Sequence, residues 1–407
     1  MEENAYNPTK AWLALVVGLA VVVLGTITGN QIAPIMIDLR EEFGLSLVQG
    51  GMLQSVIGTC ALIVAIPAGL LIMRLGVRNA SLVVCAIALV GGLSCLFAQN
   101  YEMMLVGRVF QGLSSGLGTV LSPQIAAKFF PPDKRGVPMS LVSAIYTAAY
   151  FLMMNIAVPI KEAATWRGLW VLFLVFMVIV AVLSIAFLPK KANEPQDAAS
   201  SEEENTPEFK TERRKAWFTP MAYLPPLVFI LFNIGYFAIV TYMPTYLVEV
   251  VGATQAQSNF ATSWNAIAGF PAAIIAGVLM GKMKVPRRKF LPMIIMFVLA
   301  ACYFAAFRVQ NLMAATALLI ATGFFASFVP PSLNTIGPDI LPRHTAVAIS
   351  LVIFGQNIGM SLGPLVAGAI VESAGDWTAC SIPIAAFAVV GGLICLAIKV
   401  KDLTQST

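Results

Sequence analysis

Twelve apolar stretches, each long enough to cross a bilayer, fall into two sets of six around one charged connection. That arrangement leaves few options for folding. A helical span needs roughly 20 mostly apolar residues to cross about 30 Å of hydrocarbon. Twelve such spans nearly fill a chain of 407 residues that is 58% hydrophobic and only 11% charged. No soluble core of this size is that apolar. The spans read as residues 11–36, 49–72, 80–97, 101–127, 136–158, 167–188, 221–248, 258–280, 290–307, 313–337, 346–371 and 378–398. Each is expected to be an α-helix, because an unpaired backbone amide in lipid costs several kcal/mol and a helix bonds its own. The expected fold class is an all-α membrane protein of two pseudo-symmetric six-helix bundles, residues 1–189 and 220–407, joined by a cytoplasmic linker over 190–219. The leader MEENAYNPTK is acidic and precedes a long apolar run, which sets the first span apart from a signal peptide.

Basic residues set the orientation. With the N-terminus inside, the outer segments hold Arg40, Lys161, Arg167 and Arg308, Arg108 lies within a span, and the other 20 of the 25 lysines and arginines fall on the inner side. Inner segments of membrane proteins are enriched in Lys and Arg, so both termini are expected in the cytoplasm and the chain in the plasma membrane. The net charge of +5 is then an insertion signal and implies no nucleic-acid partner. A small-molecule substrate and the lipid bilayer are the expected partners of a monomer.

The six cysteines, Cys60, Cys85, Cys95, Cys302, Cys380 and Cys395, all lie within spans and read as small buried hydrophobes. His344 is the single histidine. One histidine builds no metal cluster or histidine-based catalytic constellation, and no Walker sequence is present. Neither a cofactor nor an enzymatic activity is expected.

The halves repeat at nearly constant offset, as duplicated bundles should. Gly69, Leu71 and Arg74 after span 2 correspond to Gly277, Leu279 and Lys282 after span 8. Gly112, Pro131 and Trp166 recur 211 residues later as Gly323, Pro342 and Trp377. The linker is acidic, then basic, and lacks apolar periodicity, so it reads as a flexible or loosely helical tether whose basic end could lie along anionic headgroups.

Strongly polar side chains are expensive inside spans and mark helices that face water or substrate. Spans 3, 6, 9 and 12 have no Asn, Gln, His or charged residue in their interiors. The others carry Asn30, Gln31, Gln54, Gln111, Gln124 and Asn155 in the first half, and Asn233, Asn265, Asn334, Gln356 and Asn357 in the second. This period of three places every third helix against lipid and the other eight around a wet centre. In span 4, Arg108, Gln111, Ser115, Thr119 and Ser122 form a polar stripe at spacings of three and four. Arg108 lies about 10 Å along the axis from the outer end. An arginine at the centre of a span costs about 2.5–3.5 kcal/mol, and no carboxylate in a span interior offsets it. Two readings stay open: a forked donor that binds an anion, or a brace bonded to carbonyls and glutamines. Candidate substrate contacts are Arg108, Gln111 and Asn30, with Tyr146 and Tyr150 one turn apart on span 5, and Asn233, Tyr236, Trp264, Asn265, Gln356 and Asn357 in the second half. Packing explains each aromatic taken singly.

Residues 69–78 (GLLIMRLGVR) resemble the loop signature of the major facilitator superfamily, with Met73 at the family's acidic position. Arg108-Val109-Phe110-Gln111-Gly112 is similar to its span 4 signature, and the stretch 129–136 to its inner loop before span 5. The resemblance covers the whole chain. It implies two bundles that rock about a central site so that access alternates, with Gly69, Arg74, Gly76 and Arg78 in a gating loop and Arg108 in coupling or substrate-dependent gating. The antiporter signature of span 5 is absent, while a related series, Gly355, Gly359, Gly363, Pro364 and Gly368, lies in span 11 and reads first as close helix packing with a kink. The implied function is secondary transport of a small solute. Arg108 without a buried acid favours a small organic anion; efflux of a drug-like compound, or a non-transport receptor or scaffold, are the alternatives.

Overall fold

A computed structural model describes residues 7–131, 134, 136–191 and 207–399. Half of the expected tether, residues 192–206, lies outside the described residues, as do Pro132, Asp133 and Arg135 of the loop before span 5. Among the described residues the regular elements are α-helices and short 3-10 turns. They form two compact units, Met1–Ala199 and Ser200–Thr407.

The first unit contains α1 (Pro8–Asn30), α2 (Met36–Phe43), α3 (Leu47–Leu75), α4 (Val77–Leu96), α5 (Tyr101–Phe129), α6 (Gly136–Ala164) and α7 (Gly168–Phe187). The second contains α8 (Pro207–Ala216), α9 (Leu224–Glu249), α10 (Gln255–Lys282), α11 (Phe290–Ala306), α12 (Leu312–Ala326), α13 (Val329–Ile340), α14 (Thr345–Ala374) and α15 (Ser381–Ala397). With α1–α2 and α12–α13 counted as one span each and the ten-residue α8 set aside, every unit has six among the described residues. Eleven are long and apolar enough to cross a membrane by length and composition alone. The remaining one, α5, is the helix whose apolar character Arg108, Gln111, Gln124 and its serines and glycines dilute.

Helix starts repeat along with the spans. Ser46 and Gln49 make a capping box at α3, and Thr254 and Gln257 make the same box at α10. Asn100 accepts from the Met103 amide at α5, and Asn311 from the Met313 amide at α12. Each cap satisfies amides that the first turn leaves unpaired. Packing repeats too: α1 on α6 and α9 on α14, α3 on α5 and α10 on α12, α4 on α7 and α11 on α15.

Small residues set the closest of these contacts. A Cβ on Gly112 of α5 would stand 2.8 Å from the Cys60 Cβ of α3, and one on Gly116 2.7 Å from the Ala61 Cα. The span 11 series packs as expected: Gly355, Gly359 and Gly363 of α14 lie against the α9 backbone, and Pro364 sits within the helix.

Two spans expected to be continuous are broken. α1 stops at Asn30, where Pro34 has no N–H to bond the Asn30 carbonyl, and a 3-10 turn over Ala33–Ile35 leads into α2. α12 stops at Ala326 for the same reason, since Pro330 and Pro331 cannot donate to the Ala326 and Ser327 carbonyls, and the span resumes as α13.

Candidate functional site

The break in span 1 is where the first unit's polar residues gather. A helix that ends inside a span leaves its last carbonyls unpaired and presents the negative end of its dipole. Two side chains meet those carbonyls. Arg108 Nη1 donates to the Thr28 carbonyl at 2.8 Å, and Gln54 Nε2 to the Gly29 carbonyl at 2.5 Å. Arg108 also donates through Nε to the Leu53 carbonyl of α3 at 3.0 Å and through Nη1 to Gln111 Oε1 at 2.8 Å. One guanidinium therefore ties together α1, α3 and α5. The glycine contacts between α3 and α5 bring the Leu53 backbone within its reach.

Arg108 is 0% exposed and has no carboxylate partner among the described residues. The α1 dipole and the carbonyls take the place of a counter-ion. The cluster is nevertheless under-bonded: Arg108 Nη2, Gln111 Nε2, Gln31 Oε1, Gln54 Oε1 and Ser55 Oγ are buried without a partner among the described residues. Gln31 joins the group by donating to Gln111 Oε1 at 3.3 Å. Buried unpaired polar atoms are uncommon, and five in one place call for an explanation.

The other predicted residues divide into smaller groups. Asn30 is buried, donates to the Thr26 carbonyl at 2.9 Å, and approaches the Tyr146 side chain of α6. Tyr146 and Tyr150 do not share an environment: Tyr146 is 46% exposed and Tyr150 4%. In the second unit Tyr236 donates to Asn265 Oδ1 at 2.8 Å, and Asn265 donates on to the Leu319 carbonyl at 3.2 Å. Tyr236 stacks on Phe232, and Trp264 packs edge-on against Phe260. Asn233 reaches α14 through the Gln356 carbonyl at 2.9 Å, whereas Asn357 donates to Ile353 within its own helix.

The loop residues lie at the α3–α4 junction. Gly76 turns the chain there with φ +80°, a conformation that glycine adopts most readily. Arg74 is exposed, its carbonyl accepting from Lys191 Nζ at 2.6 Å, and Arg78 is half-buried. Met73 is 58% exposed. Among the described residues, a Cβ on Gly69 would meet Gln124 alone within 4 Å, at 3.9 Å. The brace reading expects carbonyls and glutamines around Arg108 but not which ones: it does not single out the carbonyls of Thr28, Gly29 and Leu53, with Ser55, and Pro34 is the available sign of the first two.

The sequence profile of the Major Facilitator Superfamily matches residues 15–345 and, in a second match, 247–406. A phosphoglycerate transporter protein of Salmonella typhimurium is 25% identical over 395 residues, covering 88% of this chain and 81% of that one. A protein named "Probable sugar efflux transporter" from Mannheimia succiniciproducens is 21% identical over 378 residues, covering 92% and 91%. Alignments with three other curated relatives span 29% to 39% of those proteins' length. Among solved structures, a bacterial homolog to the human lysosomal transporter Spinster, inward-facing and occupied, matches with a TM-score of 0.78 at 16% identity over 96% of this chain and 97% of that one.

Proposed function

The chain belongs to the Major Facilitator Superfamily, and on that premise we propose that it is a secondary transporter that carries a small organic anion across the plasma membrane by alternating access. It works as a monomer without cofactor, with both termini in the cytoplasm. The observation that carries the reading is the under-bonded cluster around Arg108, in which, among the described residues, the buried guanidinium Nη2 and Gln111 Nε2 both lack a partner. Leaving a buried donor unmade costs about 1–3 kcal/mol, more when it is charged. Such a pair of donors suits a carboxylate admitted when α1 and α3 loosen their hold on Arg108. The relative named as a phosphoglycerate transporter supports an anionic solute.

In this reading Arg108 and Gln111 take the charged end of the substrate, and Asn30, Tyr146 and Tyr150 border it. In the second unit, Tyr236 and Asn265 offer a bonded phenol–amide pair, with Trp264, Asn233, Gln356 and Asn357 as further proposed contacts. Gly69, Arg74, Gly76 and Arg78 serve the gating loop. A second reading, export of a neutral polar solute, is favoured by the amides of Gln31, Gln54 and Gln111 and by the relative named for sugar efflux. A thermal-shift screen of the purified protein separates them: small carboxylates are expected to stabilise it. Preferential stabilisation by sugars, or by lipophilic cations as a drug exporter would show, overturns the assignment.

A further inference from the structure

The two ends of the second unit differ sharply in charge. One end carries Arg308 with Glu249, Glu372 and Asp376, and the Thr378 hydroxyl and amide hold the Asp376 carboxyl below the usual carboxylate range. The opposite end gathers α8, the turn after it, the α10–α11 connection and the end of α15. Two apolar clusters and a pair of lysine hydrogen bonds hold these segments to the unit. Ala216 and Ala222 pack on Leu341, Val347 and Leu351, Met280 and Ile336 on Ile398, and Lys289 donates to the Leu396 and Ile398 carbonyls, both at 2.9 Å.

Two acidic residues there are already engaged within the unit. Asp339 is held by both of its oxygens to Arg288 Nη1 at 2.8 Å, and Glu212 lies 3.7 Å from Arg343. Beyond these, seven basic side chains among the described residues stand exposed at this end: Arg213, Arg214 and Lys215 on α8, Lys282, Lys284 and Arg287 from the end of α10 to α11, and Lys399 after α15. Large aromatic residues stand exposed among them. Phe218 is 76% exposed, and Trp217, Tyr223 and Phe290 are also exposed. The turn that presents them is fixed, because Tyr223 OH donates to the Trp217 carbonyl at 2.5 Å and the Phe218 amide to the Lys215 carbonyl at 3.0 Å.

A topogenic role explains lysines and arginines on one side of a membrane. It does not explain a rigid turn that holds Phe218 and Trp217 out among them. That combination matches the boundary of a bilayer, where aromatic rings sit at headgroup depth and basic side chains meet lipid phosphates. We propose that this end of the second unit is a docking surface for anionic phospholipid headgroups, with Phe218 and Trp217 inserted at headgroup depth and Arg213, Arg214, Lys215, Lys284 and Arg287 on the phosphates. The inference needs only that the chain is embedded in a bilayer; it stands or falls separately from transport.

The test is native mass spectrometry of the full-length protein in detergent, titrated in parallel with phosphatidylglycerol, phosphatidylcholine and inorganic phosphate. Retention of phosphatidylglycerol over phosphatidylcholine is expected, weakened by salt. The combined variant Arg213→Gln, Arg214→Gln, Lys215→Gln should weaken it about tenfold or more, and Phe218→Ser should weaken it with every charge kept. Lys284→Gln with Arg287→Gln, in a connection away from α8, gives an independent reading should the triple variant fold poorly. Arg308→Gln at the other end should change nothing. Equal retention of the two lipids, unchanged binding in the charge variants, or displacement of the lipid by inorganic phosphate would each overturn the proposal.

Discussion

Replacing Arg108 by glutamine sets its structural role against its proposed functional one. The guanidinium makes three hydrogen bonds within the unit, to the Thr28 and Leu53 carbonyls and to Gln111. A shorter amide retains one of them at most. Hydrogen bonds to a charged group contribute about 1.5–3 kcal/mol each, so two lost bonds remove about 3–6 kcal/mol. Removing the buried charge offsets about 2.5–3.5 kcal/mol of that. At the midpoints the net loss is about 1–2 kcal/mol, and Arg108→Gln should insert and fold. Arg108→Lys gets no such offset, because it keeps the charge and loses the planar fork; it should be the less stable of the two. Transport should behave differently. A forked contact to a carboxylate is worth about 3 kcal/mol on the same scale, so uptake by Arg108→Gln should fall about a hundredfold per folded molecule. Uptake into proteoliposomes, normalised to protein recovered as a monodisperse peak, is read beside thermal unfolding of the same samples. Near-normal uptake by the Gln variant would refute the functional role, and Arg108→Lys proving more stable than Arg108→Gln would refute the energetic reasoning.

Two further outcomes are expected elsewhere. Gly112→Ala places a Cβ 2.8 Å from that of Cys60 and should destabilise by about 1–3 kcal/mol in thermal unfolding, whereas Gly29→Ala meets nothing within 4 Å and should be neutral or stabilising by up to about 1 kcal/mol. Tyr236→Phe removes the donor to Asn265 Oδ1 and should lower stability by about 0.5–1.5 kcal/mol; if the pair contacts substrate, the variant should also lose part of the ligand-induced thermal shift seen in the parent protein.

Much of the fold was legible in the chain because its signals are local and repeated. Apolar length located the spans, and the offsets linking Gly112 to Gly323 and Trp166 to Trp377 marked a duplication that Asn100 and Asn311 carry into the helix caps. The glycine series of span 11 read correctly as close packing because it recurs on one helix face. The broken spans escaped that logic: hydropathy runs unchanged through residues 11–36 and 313–337, while hydrogen bonding lapses where Pro34 and Pro330 lack a donor. Proline alone is an unreliable sign, since Pro123 lies within α5 without ending it. The environment of Arg108 was half legible. Its helix and stripe came from spacing, but its main acceptors are the carbonyls of Thr28 and Leu53, and a sequence of side chains does not show where a backbone runs out of partners. Tyr146 and Tyr150 differ in exposure although they sit one turn apart, because what covers α6 is tertiary packing rather than its own periodicity.

The proposed activity is transport of a small anion without direct use of nucleotide. The most direct measurement is the time course of uptake of a labelled carboxylate, chosen as the strongest stabiliser in the thermal-shift screen, into nucleotide-free proteoliposomes preloaded with the same unlabelled compound. Secondary transport by alternating access predicts transient accumulation of label above equilibrium, abolished by Arg108→Gln at equal amounts of folded protein. Absence of accumulation with a ligand that binds and stabilises the protein, or uptake that appears only when ATP is added, would contradict it.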